Sequence, residues 1–177
     1  ATIEGFFFFG ASAFLGAFLH ETFGLGYAWV GLMLACFGIG SLIYSRTANI
    51  VIETLGERGM VIAGSITMSL CYLALAFAPS WQPCIPVLIL CGFGFYLMHN
   101  TLQTLATELA PDARGTAVSL FAFCLIIGQG TGVAFLGSVI DRLGYSVAFA
   151  LVAIVILCVG LWFQGKLKRE PPIEMVT

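Results

Sequence analysis

Four residues in the second half of the chain have the types and spacing to do chemistry. Tyr96, His99, Asn100 and Gln103 recur at i, i+3, i+4 and i+7, so on a helix they form one stripe along one face. Imidazole ordinarily titrates near pH ~6.5, and two amides beside it offer fixed hydrogen bonds. The surrounding run is apolar, and an unpaired polar group facing hydrocarbon is costly. The stripe must therefore face another helix or water. Two readings follow: a cavity wall where His99 titrates or meets a solute, or interhelical hydrogen bonding that only holds a bundle together.

Glu4 is the second candidate. It precedes four consecutive phenylalanines, Phe6 to Phe9, and stands sixteen residues before His20, or roughly 24 Å along a helix. Buried within a membrane, its carboxyl would be driven toward the protonated form and could cycle protons. At the first turn of a helix in water it is only a solvated acid. Ser12 shares its helix and can line the same space or bond to its own backbone. Gln129 lies among Gly128, Gly130 and Gly132, a spacing that suits close helix packing, and as a lone amide it needs a partner.

The elements that position these residues are set by composition. Of 177 residues, 60% are hydrophobic and 9% charged, with a mean hydropathy of +1.03. Soluble domains carry roughly 25% charged residues, so this chain folds in lipid rather than water. A net charge of −2 argues against a nucleic-acid partner. The six cysteines stand singly in apolar runs, which reads as packing rather than a zinc site or disulfide framework. Neither a cofactor nor a nucleotide-binding loop is implied.

Apolar runs fall at about 3–20, 27–46, 59–79, 84–106, 116–140 and 147–164. Each is close to the ~20 residues that cross a bilayer. The expected architecture is an all-α integral membrane bundle of six transmembrane helices. Turn chemistry separates them, the longest break running from Thr47 to Arg58. Alternate connections and the tail hold Arg46, Arg58, Arg114, Lys166, Lys168 and Arg169, against Arg142 alone on the other side. That asymmetry predicts a multi-pass cell-membrane protein with both termini cytoplasmic. The last run is almost purely apolar and reads as a peripheral, lipid-facing helix.

Two stretches echo each other. Gly38-Ile-Gly-Ser41 with Val51-Ile-Glu-Thr-Leu-Gly56 parallels Gly128-Gln-Gly-Thr131 with Val139-Ile-Asp-Arg-Leu-Gly144. Three spans separate the copies, so the pattern predicts two inverted three-helix repeats, about 1–79 and 84–164, followed by a tail at 165–177. Independent small-residue interfaces are the simpler alternative.

Glu108-Leu-Ala-Pro-Asp-Ala-Arg-Gly-Thr-Ala-Val-Ser119, Gly128-Gln-Gly-Thr-Gly132 and Gly137-Ser-Val-Ile-Asp-Arg-Leu-Gly-Tyr-Ser-Val-Ala-Phe149 resemble the last six helices of the major facilitator superfamily, in the flavour of bacterial proton-coupled efflux members. Gly31 to Gly40 looks like that family's eighth helix. The resemblance implies a small-molecule transporter, not an enzyme, working by alternating access, with protons as a possible coupling ion. The cavity would lie between this half and an N-terminal half or a second copy, and the helix of His99 would border it. Glu57 and Arg58 stand where many members carry an Asp-Arg gating pair, but the family's trailing basic pair is absent.

Two rivals make different demands. An intramembrane protease needs nucleophile and base at hydrogen-bond distance, yet Ser12 and His99 count to about 12 Å and about 22 Å from the outer ends of their helices. A non-transporting scaffold would bury the His99 stripe with no water-filled cavity.

Overall fold

The computed structural model describes residues 1–167, so Lys168 and Arg169 of the basic tail lie outside the described residues. Among the described residues, four helical stretches are long and apolar enough to cross a membrane: Thr2–Phe23, Tyr27–Ala76, Cys84–Glu108 and Pro111–Gln164. Two are broken by a glycine. Gly56 (φ 59°, ψ 175°) interrupts the second and Gly144 (φ 82°, ψ 171°) the last. Both conformations are essentially reserved for glycine.

The chain reverses at each break. Gly40 packs on Ile89 and Phe93, and Gly64 packs on Gly94 and Met98. A straight helix would hold Gly40 and Gly64 about 36 Å apart, yet their partners lie within ten residues of one another. Likewise Gly132 lies against Phe6 and Gly137 against Phe14, running parallel to the first helix. Beyond Gly144, Tyr145 meets Phe18 while residues 155–163 border residues 1–7, running antiparallel to it. Among the described residues the glycine breaks therefore divide the helices into six segments: α1 (Thr2–Phe23), α2 (27–55), α3 (57–76), α4 (Cys84–Glu108), α5 (114–143) and α6 (145–164).

Three expectations change. The long break from Thr47 to Arg58 is helical up to Leu55. Its polar residues do not need a loop, because Thr47 donates to the Ile43 carbonyl and Thr54 to the Ile50 carbonyl, one turn back. The break at 141–144 shrinks in the same way to Gly144. The last helix is not simply lipid-facing: Ile154, Leu161 and Trp162 are exposed, but Phe149, Val152 and Ala153 are fully buried. An all-apolar sequence conceals which face packs inward.

The helices approach through glycines. In the α2–α4 crossing, a Cβ on Gly92 would strike the Phe37 carbonyl and one on Gly40 the Ile89 carbonyl. In the α5–α1 crossing, a Cβ on Gly5 would strike the Leu125 carbonyl and one on Gly128 the Thr2 carbonyl. Small residues allow such backbone contact. Phe37 and Leu125, Gly40 and Gly128, and Gly56 and Gly144 are each 88 residues apart. The glycine that corresponds to Gly128 in its contacts is therefore Gly40, while Gly38 has open space beside it.

Candidate functional site

Directly after Glu4, α1 widens into a π-helical turn over Gly5–Phe9. Such turns insert an extra residue and re-aim the side chains around it. Phe8 stacks on Phe95 of α4 with centroids 4.6 Å apart, and Phe9 meets the same ring edge-on at 5.3 Å. With α1 locked to α4 in this way, Glu4 lies against His99. The imidazole Nδ1 and Glu4 Oε1 are 2.8 Å apart, with the side chains 16% and 3% exposed. Carrying its proton on Nδ1, the ring donates to the carboxylate.

The walls of this contact are aromatic. His99 stacks on Phe95 at 4.7 Å and lies against Phe121 of α5 at 5.6 Å and Phe9 at 6.4 Å. Glu4 Oε2 is buried with no hydrogen-bond partner. The Glu4 residue also borders a space of about 320 Å³ lined by Thr2, Met98, Val155, Val159 and Phe163 among others. The reading of Glu4 as a solvated first-turn acid is thus excluded. The carboxyl thus sits in apolar surroundings with one oxygen held by an imidazole and the other unpaired, an arrangement that is costly to bury.

The rest of the stripe faces elsewhere. Tyr96, Asn100 and Gln103 line an open groove of about 690 Å³ between α4 and α2, and His99 does not. Their partners across it are Ser41, Tyr44 and Ser45 of α2, where Tyr44 and Tyr96 stack at 6.0 Å and 26°. The sequence reading missed this α2 wall, although Ser41, Tyr44 and Ser45 follow the same i, i+3, i+4 rule that exposed the α4 stripe.

The remaining candidates separate. Ser12 donates to the Phe9 carbonyl at 2.9 Å, the purely local alternative. Gln129 is half-buried and outside the groove; its backbone nitrogen abuts Gly5 at the α5–α1 crossing. Arg58 Nε donates to Gln164 Oε1 at 3.2 Å, tying the start of α3 to the end of α6. Glu57, beside it, is half-buried. Among the described residues no cluster of three or more His, Cys, Asp or Glu side chains could hold a metal.

Comparison with known proteins agrees with an all-helical membrane fold. The family model of the Major Facilitator Superfamily matches residues 1–175. The MFS-type transporter YceJ of Bacillus subtilis, whose activity is uncharacterised, is 29% identical over 136 residues, covering 73% of this chain and 33% of that protein. YwfA of the same organism, likewise uncharacterised, is 27% identical over 171 residues, covering 92% and 41%. The multidrug resistance efflux pump PmrA of Streptococcus pneumoniae is 25% identical over 159 residues, covering 84% and 40%. The chain belongs to the Major Facilitator Superfamily. It is a multi-pass membrane protein of a transporter family rather than an enzyme. It spans between a third and about two-fifths of the length of these relatives.

Proposed function

We propose that this chain forms the six-span, C-terminal half of a transporter that exports small molecules across the cell membrane in exchange for protons. Glu4 and His99 carry the proton; Tyr96, Asn100 and Gln103 border the solute path. The observation that carries the reading is the buried Glu4–His99 contact at 2.8 Å. An ionisable pair inside an apolar bundle costs stability against an apolar replacement, so it marks function. The described side chains around it are Phe9, Phe95 and Phe121, with Val155 and Val159 beside Glu4; none of them is charged.

The matching α2–α4 and α5–α1 crossings, with Gly56 and Gly144 in the same glycine-only conformation, support two inverted three-helix repeats. Each repeat then presents one glycine-rich crossing to the other. The Lys and Arg distribution supports cytoplasmic termini. The cavity is completed by a second six-helix half, either another segment of the same protein or a second copy. Glu57 and Arg58 act at the cytoplasmic end, where Arg58 anchors α3 to α6. Export, rather than import, follows the likeness to an efflux pump.

The test uses the full-length protein in proteoliposomes loaded with fluorescent planar dyes. Imposing a pH gradient should drive dye movement, and collapsing it with a protonophore should stop that movement. Dye movement at the same rate without any gradient contradicts proton coupling.

A further inference from the structure

The groove between α2 and α4 is polar without being charged. Its hydrogen-bonding side chains include Tyr44, Ser45, Tyr96, Asn100, Gln103 and Thr104, and its lining contains no Asp, Glu, Lys, Arg or His. The Asn100 and Gln103 amides make no side-chain hydrogen bond to any described residue, so their donors and acceptors are open to a solute. The sole buried carboxyl among the described residues, Glu4, is held by His99 on another side of α4. Tyr96, half-buried at the groove wall, is backed by the buried Tyr44, near-parallel at 6.0 Å between centroids, and an aromatic wall of this kind suits a flat ring.

We infer that this half recognises an uncharged, planar aromatic solute carrying amide-like donors and acceptors, held by the Asn100 and Gln103 amides and the Tyr44–Tyr96 stack. The inference rests on the groove being a solute path, as proposed above. The physical ground is desolvation. A charged group entering the groove would give up hydration and find only neutral dipoles on this half's wall. A neutral lactam gives up less and recovers hydrogen bonds from two primary amides. Buried polar groups that go unanswered also reject the wrong solute strongly.

The test measures equilibrium binding to the full-length protein with three probes on one bicyclic frame: neutral 2-quinolinone, permanently cationic N-methylquinolinium and anionic quinoline-2-carboxylate. The expected result is that the neutral probe binds and both ions bind about tenfold more weakly or worse. Asn100→Ala and Gln103→Ala should each weaken the neutral probe by about tenfold, the loss of one well-made hydrogen bond. Asn100→Asp should reverse the preference toward the cation. If the unaltered protein binds the cation as tightly as the lactam, and Asn100→Ala weakens both, the solute class is wrong while the groove remains the path. If no probe responds to any of these substitutions, the inference fails together with the groove's role in transport. Both positions are half-buried and bonded to nothing else described, so the variants are expected to fold.

Discussion

The two sides of α4 contrast sharply although their residues are neighbours in sequence. His99 faces an aromatic wall of Phe9, Phe95 and Phe121 and holds a buried carboxyl. Asn100, the next residue, faces an open groove of about 690 Å³ with no charged side chain. One helix thus carries a carboxyl–imidazole pair and an uncharged polar wall roughly 100° apart. What a polar side chain can do is decided by the wall opposite it. Under the proposed function the carboxyl among aromatics serves as the proton site, and the amides lining the open groove serve as the recognition surface. The contrast also suggests how the two are coupled. Under the proposed function, a charge change at Glu4 would act on the helix that bears Asn100 without the proton and the solute needing to touch.

Several substitutions can break or sharpen this contrast. The largest effect is expected from Glu4→Gln, which should abolish movement driven by a pH gradient while leaving solute binding at the groove within about twofold, as judged by 2-quinolinone titration. His99→Ala leaves the carboxyl without its partner. It should lower stability by about 1–3 kcal/mol, read as an earlier thermal unfolding in detergent, and slow gradient-driven transport.

The crossings supply a structural counterpart. Gly128→Val drives side-chain atoms into the Thr2 carbonyl, and Gly40→Val does the same at Ile89. Each should cost about 1–3 kcal/mol and reduce folded yield. Gly128→Val should also disturb the proton pair, because Thr2 is next but one to Glu4. Gly144→Ala places a Cβ at φ 82° and should cost about 1–3 kcal/mol without changing the ratio of proton to solute moved. Smallest of all, Arg58→Ala removes a single half-buried hydrogen bond to Gln164 and should shift stability by about 0.5–1.5 kcal/mol.

Much of this was legible in the residues. Apolar runs of membrane length, the candidacy of Glu4 and His99, and the punctuation by Gly56 and Gly144 all follow from local composition and spacing. Glu4 and His99 are 95 positions apart, however, and no local pattern joins them. Their pairing depends on the π-helical turn at Gly5–Phe9 and on Phe8 stacking against Phe95. The stripe on α4 looked uniform because helical periodicity locates a face but not the two different neighbours that divide it. Breaks were placed too wide because threonines that bond back along their own helix look the same in sequence as loop threonines. The correspondence of Gly40, rather than Gly38, with Gly128 needed the backbone contacts, since both glycines belong to the same motif.

The most direct test compares two assays of one variant. In proteoliposomes containing the full-length protein, Glu4→Gln should retain 2-quinolinone counterflow, in which solute exchanges for solute, and lose accumulation driven by a pH gradient. Equal loss of both would assign Glu4 to holding the helices together, and retention of both would remove the proton from this pair altogether.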